Sequence, residues 1–325
     1  MIREAIEKIR GRRLRVVLPE GRDARIPAAA RRLLDEDLGI PLLIGTQEAV
    51  GEAAAEAGVD MSGIEVIDPP TTDSIHDYAR RYCERRSVDE SVARRIVKRP
   101  LFYGGMMVAV GDADAMVAGA ATATAMVIQA GVLTVGLSEG ITVPSSFFVM
   151  LIPDFRGEAS YPLVFADCAV NISPGPDELA DIAIASAASA GRLIGTDPRV
   201  AMLSFSTLGS ANHPDVKKVQ EAVQIVRDKA PDLVIDGELQ GDTALIERVA
   251  RKKLKKASAV AGEANVLIFP DLDAGNIAYK LTQYLAKAEA IGPFLQGFAR
   301  PLSDLSRGAT VDDIVKTTSI TLAQV

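Results

Sequence analysis

The sequence predicts an α/β fold with parallel strands, divided between two domains. Helical and strand patterns alternate along the whole chain, the arrangement of layered α/β architectures. A chain of 325 residues is also long for one compact core, and 48% hydrophobic content suffices for two large interiors.

Taken in order, Leu14 to Leu18 reads as a strand ending at Pro19-Glu20-Gly21, followed by an Ala- and Arg-rich helix from Ile26 to Asp35. Pro41 to Ile44 is a second strand, ended by Gly45, and Ile64 to Ile67 a third, before Asp68-Pro69-Pro70. From Ser74 to Lys98 the spacing of Ile75, Tyr78, Tyr82 and Cys83 predicts one long helix. Ala115 to Ser138 carries no charge and is long enough to span a bilayer. Its Ala, Gly, Thr and Val content, with Gln129 in the middle, marks it instead as a close-packed interior segment.

The second half repeats the alternation. Strands are expected at Ser146 to Leu151, Leu163 to Ala166, Val200 to Ser204, Val234 to Glu238 and Val266 to Pro270. Helices are expected at Asp177 to Leu193, Pro214 to Lys229 and Ile277 to Ala290. Polar residues follow several strands: Asp167, Ser206-Thr207, Asp236-Glu238 and Asp271 through Asn276. Open α/β sheets bind ligands beyond the carboxyl ends of their strands, although turns are polar and need helix caps for ordinary reasons.

Composition removes several function classes. A formal charge of −7 offers no broad positive field for nucleic acid. The arginines concentrate between Arg3 and Arg99, in pairs such as Arg80-Arg81 and Arg85-Arg86, which suit solvated helix faces or a small polyanion. Two cysteines, Cys83 and Cys168, and two histidines, His76 and His213, give no disulfide framework, metal spacing or serine–histidine triad. No bound metal and no tightly bound cofactor is expected. Neither a Gly-x-x-x-x-Gly-Lys loop nor a Gly-x-Gly-x-x-Gly after a strand is present, so ATP and dinucleotide binding lack a motif. The start, Met1-Ile2-Arg3-Glu4-Ala5, has no apolar signal core, and the chain reads as soluble and cytoplasmic, with no membrane partner.

The most informative segment is Asp304-Leu305-Ser306-Arg307-Gly308, with Asp313 close behind. Arg307 offers a planar, permanently charged fork for phosphate oxygens. Ser306 offers a neutral donor to an oxygen that gains charge in a transition state, and Asp313 can accept a proton. Together they suit acyl-phosphate chemistry. The same residues fit a capping box, with Thr310 as N-cap and Asp313 as its carboxylate partner.

On longer blocks the chain resembles the phosphate acetyltransferases and their phosphate acyltransferase relatives. The likeness covers nearly the whole length and is strongest from Phe165-Ala166-Asp167-Cys168 onward. It includes Ser204-Phe205-Ser206-Thr207 with Gly209-Ser210-Ala211, Asp236-Gly237-Glu238-Leu239-Gln240, and Asn265 to Leu272 leading into Gly275 to Lys280. Gly292 to Gly297 then leads to Pro301 and the Ser306-Arg307 turn.

The resemblance implies two three-layer α/β/α domains with a cleft between them, as in the isocitrate and isopropylmalate dehydrogenases. The first domain would be discontinuous, residues 1–140 plus 295–325, with 141–294 forming the second. It further implies a homodimer acting on small molecules: acetyl-CoA, acetyl phosphate and phosphate, with coenzyme A as co-substrate. Transfer would be direct, in a ternary complex. Asp313 would deprotonate the thiol, Ser306 would hydrogen-bond near the reacting centre, and Arg307 and Arg85 would hold phosphoryl oxygens. Arg25 matches a position associated with the 3′-phosphate of coenzyme A.

Three positions depart from the pattern of the resemblance: the neighbourhood of Thr122, where many relatives carry a histidine or another polar residue; Gln129, aligned with a phosphate-handling arginine; and Leu208, in place of a common lysine. The alternatives are a propionyl- or butyryltransferase, with selectivity set around Thr124 and Phe147, and a non-catalytic acyl-CoA sensor. A dehydrogenase is less well supported, lacking the nicotinamide motif.

Overall fold

A computed structural model describes residues 2–325. The chain forms two compact units, one of Met1–Ser138 with Phe298–Val325 and the other of Glu139–Gly297. The strands, in chain order, are β1 Arg15–Leu18, β2 Ile40–Ile44, β3 Glu65–Ile67, β4 Ala115–Ala118, β5 Ser145–Phe155, β6 Glu158–Ala166, β7 Val200–Leu203, β8 Ile235–Leu239, β9 Val266–Ile268, β10 Glu289–Gln296 and β11 Leu302–Asp304.

In the first unit five strands lie in the order β11-β4-β1-β2-β3, and every pair is parallel. Val16, Val17 and Leu18 of β1 and all four residues of β4 have no exposed surface, as central strands covered on both faces require. Ile26, Ala30 and Leu33 from the helix Arg25–Asp35 pack on one face with Ile314 and Leu322 from the helix Val311–Leu322.

The uncharged run Ala115 to Ser138 supplies β4 and the helix Thr124–Thr134. Its small residues permit very close approach. A Cβ at Gly131 would come within 2.7 Å of the Phe298 ring, and Thr134 packs so closely on the helix Pro100–Val110 that a Cβ at Gly105 would come within 2.1 Å of its Oγ1. No helix among the described residues is long and apolar enough to cross a membrane.

The second unit has the order β10-β5-β6-β9-β7-β8. Here the expectation of parallel strands needs correction, because β10, β5 and β6 are antiparallel neighbours while β6, β9, β7 and β8 run parallel. A tight turn at Arg156-Gly157, both at positive φ, folds β5 onto β6 directly, so no helical crossover intervenes.

Two helix boundaries also differ. The segment Ser74 to Lys98 is two helices, Ser74–Arg86 and Glu90–Val97, separated at Ser87, whose φ of +52° is left-handed. A residue in that conformation ends a helix. The helix expected at Ile277 to Ala290 instead spans Leu272–Leu285, starting at the cap Asp271, whose carboxylate accepts the Ala274 N–H at 2.8 Å.

Candidate active site

Three parallel neighbours in the first unit, β1, β4 and β11, end side by side. Each is followed by a short loop and a helix: Arg25–Asp35 after β1, Thr124–Thr134 after β4 and Val311–Leu322 after β11. This carboxyl edge is where open α/β sheets bind ligands.

A buried acid ties the first two loops together. Glu20, only 6% exposed, lies just beyond β1. Its Oε2 accepts the N–H groups of Gly119 and Ala120, each at 2.8 Å, and Oε1 accepts that of Ala121 at 3.0 Å. Three backbone donors on one carboxylate offset the cost of burying it.

Arg25 binds the same loops to the Ser306 turn. Its Nη1 donates to the carbonyls of Arg307 at 2.9 Å and Ala309 at 2.8 Å, and Nη2 to that of Ala120 at 2.8 Å. Asp23 accepts from Nε and Nη2, and these hydrogen bonds hold its carboxyl below the usual range. An arginine has five N–H donors, and these contacts engage the whole fork. Its position beside the turn agrees with a place in the site, but its guanidinium carries protein oxygens where the sequence reading assigns a coenzyme phosphate.

The turn itself projects outward. Ser306, Arg307 and Gly308 are exposed, whereas Asp304, Leu305 and Ala309 on either side are buried. Ser306 Oγ accepts the Gly308 N–H at 3.2 Å, and Ala309 N–H closes the turn onto the Ser306 carbonyl at 2.9 Å. Among the described residues the Arg307 guanidinium has no hydrogen bond or ion pair. Asp313 sits one helical turn into Val311–Leu322 and completes the capping box: Oδ2 accepts from Thr310 N at 2.9 Å and Oγ1 at 2.7 Å. Its Oδ1 has no partner among the described residues. The structural and chemical readings of Asp313 are therefore compatible.

Asp304, at the end of β11, is 5% exposed and accepts a hydrogen bond from Thr124 Oγ1. Burial, aided by the nearby Glu20 charge and opposed by the Thr124 bond, pushes its carboxyl up to about 6. Its other oxygen, Oδ1, is buried without a partner. Neither Asp304 nor Glu20 was given a role by sequence reasoning. A Glu-Gly pair directly after a strand was the available signal for Glu20, and adjacency to Ser306 was the signal for Asp304.

Arg85 stands elsewhere. Its Nη1 donates to the Thr134 carbonyl at 2.7 Å, and Arg86 donates to the carbonyls of Leu133, at 3.0 Å, and Val132. These cations cap the carboxyl end of the helix Thr124–Thr134, where they complement the helix dipole. Ten residues separate Thr124 from Thr134, roughly 15 Å of axis. The structure thus brings Arg25, Ser306, Arg307 and Asp313 together and leaves Arg85 at the far end of that helix. Gln129 is exposed between the two ends.

In the second unit the polar residues after strands are internally satisfied. Asp167 accepts from Ser146, Ala169, Val170 and Asn171. Glu238 accepts from Ser206 Oγ at 2.8 Å, Gly209 N at 2.7 Å and Gln220 Nε2 at 3.0 Å. Cys168 is fully buried, and burial with the Asp167 charge pushes its thiol far up, leaving it a poor nucleophile. Phe147 is also fully buried, against Phe294. Among the described residues no group of three or more His, Cys, Asp or Glu side chains is placed to hold a metal ion.

Comparison with known proteins places the chain among the acyl-group transferases. The chain belongs to the phosphate acetyl/butaryl transferase family, whose model matches residues 1–322. It is 45% identical over 327 residues to a phosphate acetyltransferase of Thermoanaerobacterium thermosaccharolyticum, covering 100% of this chain and 99% of the relative. The structure of the EutD phosphotransacetylase from Staphylococcus aureus superposes with a TM-score of 0.91 at 38% identity, covering 99% of this chain and 97% of that one. The fold alone extends further, to a Salmonella typhimurium structure assigned as a 4-hydroxythreonine-4-phosphate dehydrogenase, at 12% identity and a TM-score of 0.57, covering 96% of this chain and 99% of that one.

Proposed function

We propose that this chain is a phosphate acetyltransferase, moving an acetyl group reversibly between coenzyme A and inorganic phosphate. The observation that carries the reading is the exposed Ser306-Arg307 turn, held by Arg25 on its backbone while the Arg307 fork has no partner among the described residues.

In the direction of acetyl-CoA formation, Arg307 holds the phosphoryl oxygens of acetyl phosphate by charge-assisted hydrogen bonds. Asp313, through the oxygen not engaged by Thr310, takes the proton of the coenzyme A thiol. A free thiol has a pKa of about 8.5, so a nearby base raises the thiolate fraction at neutral pH. The thiolate attacks the carbonyl carbon. Charge then develops on the carbonyl oxygen, where Ser306 donates. The intermediate collapses with cleavage of the carbon–oxygen bond to phosphate, which leaves on Arg307. No covalent enzyme intermediate is needed, in keeping with the inert setting of Cys168.

Arg25 acts here as the support of the turn, its donors being occupied. Arg85 binds the carboxyl end of the helix Thr124–Thr134, whose two ends lie about 15 Å apart, so it serves the remote part of the long coenzyme A molecule or only caps the helix. The protein works as a cytoplasmic homodimer. Support for the dimer comes from the helix Leu272–Leu285, where Ile277, Leu281, Tyr284 and Leu285 are 52–78% exposed at helical spacing, a face suited to a second copy.

The test is coenzyme A-dependent thioester formation, followed by ultraviolet absorbance, from acetyl, propionyl and butyryl phosphate in parallel. Preference for acetyl is expected. Preference for a longer chain moves the assignment within the family. Absence of turnover from folded protein that binds acetyl-CoA assigns it as a sensor.

A further inference from the structure

The Ser306 turn leaves the sheet through Asp304, and nothing in the backbone pairing of β11 with β4 requires an acid there. Its Oδ1 is buried and unpartnered, and such an atom costs free energy unless something compensates. Oδ1 is pressed against the neighbouring strand end: a Cβ at Gly119 would lie 2.3 Å from it and 2.6 Å from Leu305 N. The Asp304 carboxylate accepts a hydrogen bond from Thr124, the first residue of the helix after β4, and also lies beside the Leu305 N–H, which opposes the rise in pKa that burial imposes.

We propose that Asp304 and Thr124 form a positioning pair, fixing where Ser306 and Arg307 stand relative to the first turn of the helix Thr124–Thr134. This inference rests on the reading of that turn as the reacting centre. In this role the pair acts through Ser306 and Arg307 rather than on the reacting atoms. The charged groups around the pair are Glu20, clasped by Gly119 to Ala121, and Arg25 with Asp23, which grips Ala120, Arg307 and Ala309. Those contacts hold the loops together without Asp304. Loss of the Thr124 contact therefore shifts the turn without unfolding the unit.

The experiment compares Thr124→Val, Thr124→Ser, Asp304→Asn and Arg307→Ala in acetyl phosphate turnover, with separate KM values and thermal midpoints. Thr124→Val keeps the shape and removes the donor. It is expected to lower kcat about tenfold, as loss of one hydrogen bond to a carboxylate does, with both KM values and the midpoint close to those of the parent. Thr124→Ser should restore kcat, and Asp304→Asn, which retains an acceptor, should stay within about threefold. Parental kcat in Thr124→Val, with Arg307→Ala inactive, would overturn the inference and leave the proposed function standing. A lowered midpoint without rescue by serine would make the pair structural only, and would overturn it also. Full turnover in Arg307→Ala would remove both.

Discussion

The loops after the strands of the two units use the same residue types in opposite ways. In the second unit, Asp167 and Glu238 accept from donors that surround them, and the loops close on themselves. In the first unit, Glu20 and Arg25 are equally saturated, Glu20 by the loop after β4, but Arg25 holds a turn from which the Arg307 guanidinium projects with no partner among the described residues. Hydrogen-bond saturation thus distinguishes the side chains that hold the loops from those left open to a ligand, where residue type does not. Arg25, Arg85 and Arg86 are committed to backbone carbonyls, and Arg307 is not.

The sharpest way to break this contrast is at the two arginines of the first unit. Arg307→Ala should lower kcat/KM by roughly 10²- to 10³-fold, the scale of losing a charged transition-state contact. Its thermal midpoint should hardly move. A smaller loss, about 10- to 100-fold, is expected for Arg25→Ala, falling on kcat because the turn loses its support. A rise confined to the KM for coenzyme A would instead return Arg25 to the phosphate role that the resemblance implied. Steady-state kinetics with each substrate varied distinguishes the two.

The buried acids provide a second comparison, with opposite signs in pH. Burial alone would raise the Glu238 carboxyl, but donation from Gly209, Gln220 and Ser206 outweighs it and holds the group below its usual range. Its stabilisation is present above the unfolded pKa and lost as pH falls through the folded one. Asp304 is raised from 3.8 to about 6, so its contribution is full below the unfolded value and lost as pH rises through about 6. Denaturant titrations should show Glu238→Gln destabilised at pH 7, by about 1–3 kcal/mol, with the gap closing in acid. Asp304→Asn should gain on the parent between roughly pH 4 and pH 7, with parallel curves below. Parallel curves throughout would mean that neither setting survives in solution.

Much of this frame was legible in the sequence, and the failures have physical causes. The strands β1, β2, β6, β7 and β9 are apolar runs punctuated by Pro, Gly or Asp, and their positions followed from that pattern. β4 lies in a run of Ala, Gly and Thr with no period, so only the tertiary packing of its neighbours makes it a strand. β11 has three residues, too few to carry periodicity. At the candidate site, Ser306, Arg307 and Asp313 stand out in the sequence because their side-chain chemistry is concentrated in one short segment. The grip of Arg25 on Arg307 spans 282 positions, and no local pattern encodes such a contact. Asp304 was visible as a residue, but its burial and its partner Thr124 are products of the fold.

Gln129 allows the finest test. It is exposed on the helix Thr124–Thr134, five residues along from Thr124 and five before Thr134. By helix rise it lies about 7 to 8 Å from either end, between the Ser306 turn and the carbonyls that Arg85 and Arg86 cap. Both of those arginines are occupied, so neither substitutes readily for a guanidinium at 129. Gln129→Arg adds a charge on a solvated surface, where a single contact contributes little. The expected result is a two- to fivefold fall in the KM for phosphate or coenzyme A, with kcat unchanged, since so small a factor corresponds to under about 1 kcal/mol. A gain in the phosphate KM alone would place position 129 with Arg307, whereas a gain in the coenzyme A KM alone would place it with Arg85. A large loss of turnover would show that the helix presents this position to the reacting groups themselves, where glutamine is preferred.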